Sequence, residues 1–129
     1  MTSLTDLSLT EMQRGLQTGA FSSRELVKAA LNRVSALEPR LHAFLHVASA
    51  AALQRADETD AARRKGSKAP LLGIPVAIKD VLTVEGLPCT CGSKILEGFM
   101  PPYTATAVRR LLDAGVVVLG KTNTDEFAM

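Results

Sequence analysis

Residues 73–99 read "GIPVAIKDVLTVEGLPCTCGSKILEGF", and the first seven of them decide the fold class. Ile74-Pro75-Val76-Ala77-Ile78 is a short apolar run of strand character, and it stops on a charge pair, Lys79-Asp80. Along a strand, alternate side chains face opposite ways. Ile74, Val76 and Ile78 therefore share one face, and Pro75, Ala77 and Lys79 share the other. Lys79 follows a small alanine at the carboxyl end of the strand, the edge at which open α/β sheets place their ligand sites. An apolar cover there would disfavour the ammonium and favour the neutral amine that a general base needs. Asp80 is free to pair with a cation or to cap the next turn.

Working outward, "AGVVVLGK" supplies the second strand. Val116-Val117-Val118-Leu119 is continuously apolar, the pattern of a strand buried on both faces in the middle of a parallel sheet. Between the strands lies an irregular stretch, 83–102, with Gly86, Pro88, Gly92, Gly98, Pro101 and Pro102. A helix follows, capped by Thr104 or Thr106, running through Leu112 and closed by Gly115. Strand, crossover with helix, strand is an α/β signature.

The first third is helical in character. Ser8…Glu11 and Ser22…Glu25 both fit the capping box, in which a hydroxyl and a carboxylate satisfy each other's backbone donors. Gly19-Ala20-Phe21 separates the two helices. Leu26, Ala30, Val34 and Leu37 form an apolar stripe on the second, which Pro39 should stop. "LHAFLHV", 41–47, is a strand candidate. A third helix spans about Ser49 to Lys65, with acids ahead of bases and Gly66 as C-cap. "GSKAP", 66–70, is a loop. The helical part is thus 5–66 and the start of a central sheet 72–129. A central parallel strand needs neighbours, and only two or three strands are visible. The expectation is an incomplete sheet, the N-terminal portion of something larger.

Composition narrows the classes. Of 129 residues, 47% are hydrophobic and 22% charged, which permits a real core, and the net charge is only +2. The longest like-charge block is Arg63-Arg64-Lys65, and there is no tryptophan, so neither a phosphate-binding footprint nor a base-stacking platform is present. The start "MTSLTDLSLTEMQRG" lacks the basic and apolar regions of a signal peptide, and no apolar run is long enough for a membrane helix. The expectation is a cytoplasmic chain without membrane contact.

Three motifs invite chemistry and do not carry it. Gly115 to Thr122 spells the phosphate-loop pattern G-x-x-x-x-G-K-[ST], but its middle is strand-like and a helix precedes it, the reverse of the required context. Cys89, Cys91, His42 and His46 are enough for a zinc site, yet C-x-C is not a zinc-knuckle spacing, and a Cys89–Cys91 disulfide would be strained. Ser93 is the only serine after Lys79, and nothing beside it supplies oxyanion donors.

"LLGIPVAIKDVLTVEGLPCTCGSKILEGF" and "PPYTATAVRRLLDAGVVVLGKTNTDEFAM" together resemble the opening of the amidase signature family. Within that family, "GSKILEGF" and "KTNTDEFAM" are most similar to the A subunits of tRNA-dependent amidotransferases; Thr104 and Thr124 depart from the usual wording. The resemblance covers essentially the whole chain. It implies an amidase-signature fold, with helices followed by part of a mixed, largely parallel sheet flanked by helices. It also implies a Ser–Ser–Lys triad whose lysine matches Lys79. That lysine would take a proton, through a bridging serine, from the serine that attacks the side-chain amide of glutamine. Ammonia would pass to a B subunit, where ATP and Mg²⁺ activate glutamyl-tRNA(Gln), while a small C subunit wraps the interface. No cofactor is implied in this chain, and tRNA is met only through the B subunit. Both family serines belong to a later Gly/Ser-rich segment that this sequence does not contain, so the chain by itself should be inactive. Two other readings stay open. One is an amidase of the same family acting on a free small amide. The other is a non-catalytic module, whose helices at 9–37 bind a partner and whose Val116–Leu119 surface is exposed and apolar.

Overall fold

The computed structural model describes residues 3–129; Met1 and Thr2, at the head of the start sequence, lie outside the described residues. The α-helices are α1 (Leu9–Thr18), α2 (Ser23–Leu41), α3 (Ser49–Arg64) and α4 (Thr106–Asp113). The strands are β1 (Phe44–Val47), β2 (Pro75–Lys79) and β3 (Val117–Thr122), in the order β1-β3-β2. β3 is central, parallel to β2 but antiparallel to β1, so the sheet is mixed. One face of β3 packs Val117 and Leu119 against Val27 and Leu31 of α2 and Ala52 and Ala56 of α3. The other face joins Val118 and Ile78 to Val84 and to Val108 of α4.

Local chemistry explains the helix boundaries. Ser8 and Ser22 each accept from the backbone N–H three residues on, and Glu11 and Glu25 accept in return from the cap N–H groups. α1 ends at Gly19, whose φ of 73° is left-handed. Three sequence expectations are corrected. Pro39 does not stop α2, which runs to Leu41 and ends at His42 with φ 49°. A proline in the last turn removes only one donor, and both Pro39 and Ser35 are exposed to water. Neither Thr104 nor Thr106 caps α4: the cap residue is Ala105, and Thr104 Oγ1 instead accepts from Glu85 N at 3.0 Å, tying the irregular stretch to the helix start. The third helix is capped at Lys65, with Gly66 just beyond at φ 90°.

The stripe on α2 is also only half of its apolar surface. Val27 and Leu31 enter the core, whereas Ala30, Val34 and Leu37 line a cleft of about 320 Å³ with Met12 and Phe44. Val116 and Val117 are fully buried and Leu119 is 8% exposed, so the exposed apolar surface expected there for a partner-binding module is absent.

Gly120 makes β3 possible. A Cβ at this position would lie 2.1 Å from His46 O and 3.0 Å from Val47 Cα. Glycine is the residue that tolerates such a backbone approach. The register also slips beside it. Val76 pairs with Val118, but Ala77 pairs with Gly120, leaving Leu119 as the extra residue of a bulge. Residues paired across the ladder share a face, so the bulge moves Lys121 to the buried face of Ile78 and leaves Thr122 beside Lys79.

Candidate active-site edge

The carboxyl ends of β2 and β3 meet at Lys79, Asp80 and Thr122. Lys79 is the last residue of β2, paired with Thr122, and the Asp80 amide donates to Thr122 O at 3.1 Å. The sequence alternation holds: Ala77 and Lys79 are exposed, while Ile78 and Asp80 are buried. Ala77 and Lys79 stand exposed on that side, so the described residues supply no apolar cover over the Lys79 amine. No ion pair engages the Lys79 amine among the described residues. An exposed amine of this kind can reach a molecule placed over the sheet end.

Beneath it lies a polar centre that the sequence reading did not assemble. Lys121 is 0% exposed, and its Nζ donates to Asp80 Oδ1 at 2.8 Å and to Pro88 O at 3.0 Å. The other carboxylate oxygen of Asp80 accepts from Thr90 N at 3.0 Å and from Thr90 Oγ1 at 2.5 Å. The Asp80 carbonyl accepts from Cys91 N at 3.0 Å and from the Cys89 thiol at 3.4 Å. Burial alone would raise the Asp80 carboxyl, but the bonds from Lys121 and Thr90, with the Lys121 charge, outweigh it and hold the group below its ordinary value. Burial pushes the Cys89 thiol up.

Asp80 does pair with a cation, as its position suggested, but in the sequence that cation is only a letter of the phosphate-loop pattern. A signal for it is nevertheless present: a lysine at the end of an otherwise apolar central strand has no route for snorkelling to water and needs a buried anion. Gly115 and Gly120 of the phosphate-loop pattern serve packing. Gly115, one residue beyond the α4 cap Ala114, has φ 99° with Leu72 Cα 2.7 Å from a would-be Cβ, and Gly120 backs onto β1. Among the described residues no group of three or more His, Cys, Asp or Glu could hold a metal ion; His42 caps α2 and His46 lies in β1. Ser93 is 5% exposed, donates to Glu126 Oε1 at 2.6 Å and accepts from Ile95 N, so its hydroxyl caps a turn. No described helix is long and apolar enough to cross a membrane.

The mixed sheet and its helical covers have counterparts among solved structures. The profile of the Amidase family matches residues 25–129, and the chain belongs to that family. Its curated relatives include the glutamyl-tRNA(Gln) amidotransferase A subunit from Salinispora arenicola (strain CNS-205), 52% identical over 100% of this chain and 26% of the relative. The protein of that name from Thermobifida fusca (strain YX) is 50% identical over the same shares. Among solved structures, native peptide amidase from Stenotrophomonas maltophilia superposes with a TM-score of 0.89 at 40% identity, over 95% of this chain and 26% of that one. The chain spans about a quarter of the length of the curated relatives it matches.

Proposed function

We propose that residues 1–129 are the N-terminal part of a single amidase domain, that of the glutaminase (A) subunit of a glutamyl-tRNA(Gln) amidotransferase. Such a subunit releases ammonia from glutamine for the conversion of Glu-tRNA(Gln) to Gln-tRNA(Gln). The observation that carries the reading is identity of 50–52% along the whole chain to two proteins of that name. In this reading Lys79 is the base of the Ser–Ser–Lys triad, and both serines come from sequence outside residues 1–129. The nucleophilic serine passes its proton through the bridging serine to the Lys79 amine as it attacks the glutamine amide carbon. The same proton returns to the leaving ammonia, and water releases glutamate from the acyl-enzyme. Residues 1–129 alone hold a base without a nucleophile and do not turn over. The partners are B and C subunits, tRNA is reached through B, and ATP with Mg²⁺ acts there.

The 40% identity to a peptide amidase favours a second reading, hydrolysis of a free or peptide amide by the same residues. The test is the native mass of the protein and of what co-purifies with it, followed by assay of that material on glutamine and on small amides. Glutamine turnover in an assembly with B and C subunits, abolished by Lys79→Ala, is the expected result. Small-amide turnover without those partners selects the second reading. Undiminished glutamine turnover by Lys79→Ala overturns the assignment of the base.

A further inference from the structure

We infer that Asp80 and Lys121 form a positioning pair, which clamps the 88–93 segment onto the end of β2 and so fixes the backbone that presents Lys79. The clamp stands on the geometry of this chain; its effect on catalysis rests on Lys79 being the base. Asp80 uses every polar atom it has. Its amide holds β3, its carbonyl holds Cys89 and Cys91, and its carboxylate holds Lys121 and Thr90. Lys121 adds a second tie to the same segment through Pro88 O. Two neighbours of Lys79, one in sequence and one across the sheet, are thus locked: Asp80 by these bonds, and Thr122 by accepting the Asp80 amide.

A buried ion pair is poorly explained by stability, because well-packed apolar substitutes often serve as well or better. What the apolar substitutes cannot do is accept from Thr90 or donate to Pro88 O, so they release the segment while keeping the core. The Leu119 bulge supports a positional role, since it is what delivers Lys121 to Asp80's side of the sheet. Without it the lysine would share a face with Val117.

The decisive comparison is the double variant Asp80→Leu/Lys121→Met, which removes both charges, with Thr90→Val as the milder probe. Hydrogen exchange on this chain reads the clamp directly. In the double variant the Thr90 and Cys91 amides should exchange faster by on the order of a hundredfold, while the Val27 and Ala56 amides stay within about threefold. Thr90→Val should give the same pattern with a smaller change. In the native amidase assembly, kcat should fall on the order of tenfold to a hundredfold with KM within about twofold, as for a misplaced reacting group. Unchanged exchange at Thr90 and Cys91, or uniform acceleration including Val27 and Ala56, overturns the clamp. Released amides with kcat unchanged overturn its link to Lys79. If Lys79→Ala itself leaves turnover intact, the assignment of the base has failed, and the exchange data still decide the clamp.

Discussion

Gly120→Ala is the sharpest test of how the site edge is built. The added methyl would sit 2.1 Å from His46 O, and every close neighbour is backbone, so no rotamer change relieves it. β1 must move away from β3. The move strains or breaks Ala48 N→Leu119 O (2.8 Å) and Asn123 N→Ala43 O (2.8 Å), and unpacks Phe44 and Val47 from the core around Val117. Two lost bonds at about 1 kcal/mol each, with partial exposure of two apolar side chains, give a destabilisation of roughly 3–5 kcal/mol. For a chain of 129 residues the unfolding entropy is ~0.27 kcal/mol per kelvin, so Tm should fall by roughly 11–18 °C. Gly19→Ala is the matched control: nothing lies within 4 Å of its would-be Cβ, and only its φ of 73° resists, which costs about 1 kcal/mol, or ~4 °C. The assay is thermal unfolding by circular dichroism. A Gly120→Ala protein melting within about 4 °C of the parent would refute the β1–β3 approach.

Three other outcomes are expected. Asp80 has a folded value below its unfolded one, so its contribution to stability is complete above the ordinary carboxylate range and is lost as pH falls through the folded value. Urea unfolding across that acid window should show a steep loss for the parent and a flatter profile for Asp80→Asn; equal slopes would show that Asp80 is not the linked group. Lys79 is exposed and forms no ion pair among the described residues, so Lys79→Ala should shift Tm by less than about 2 °C while lowering amide turnover by several orders of magnitude in the native assembly; Lys79→Arg should fail equally, since guanidinium is no base near neutral pH. A large Tm loss would make Lys79 a structural residue. Cys89 is 3% exposed with its thiol pushed up by burial, so alkylation at pH 8 followed by mass spectrometry should label Cys91 well before Cys89. Equal rates would contradict the packing of the 88–93 segment.

Short-range chemistry was legible in the residues. Both capping boxes form as the Ser…Glu spacings required, because a cap is made within four residues of backbone. The alternation in Pro75–Lys79 set which side chains share a face, because the pleat repeats every two residues whatever packs on it. The family resemblance was likewise carried by contiguous words of sequence. What depended on distant partners was not legible. Thr104 was free to cap a helix until Glu85, nineteen positions away, offered a closer donor. The Leu119 bulge comes from pairing β3 with a strand some forty residues earlier, and that slip alone puts Lys121 on Asp80's side of the sheet. Its ion pair with Asp80 spans 41 positions. By itself the sequence determined the elements, the strand face that Lys79 shares with Ala77 and the family, since periodicity and local hydrogen bonding act along the chain. Only the tertiary structure decided which buried charges meet, because register and desolvation belong to pairs of segments rather than to either one.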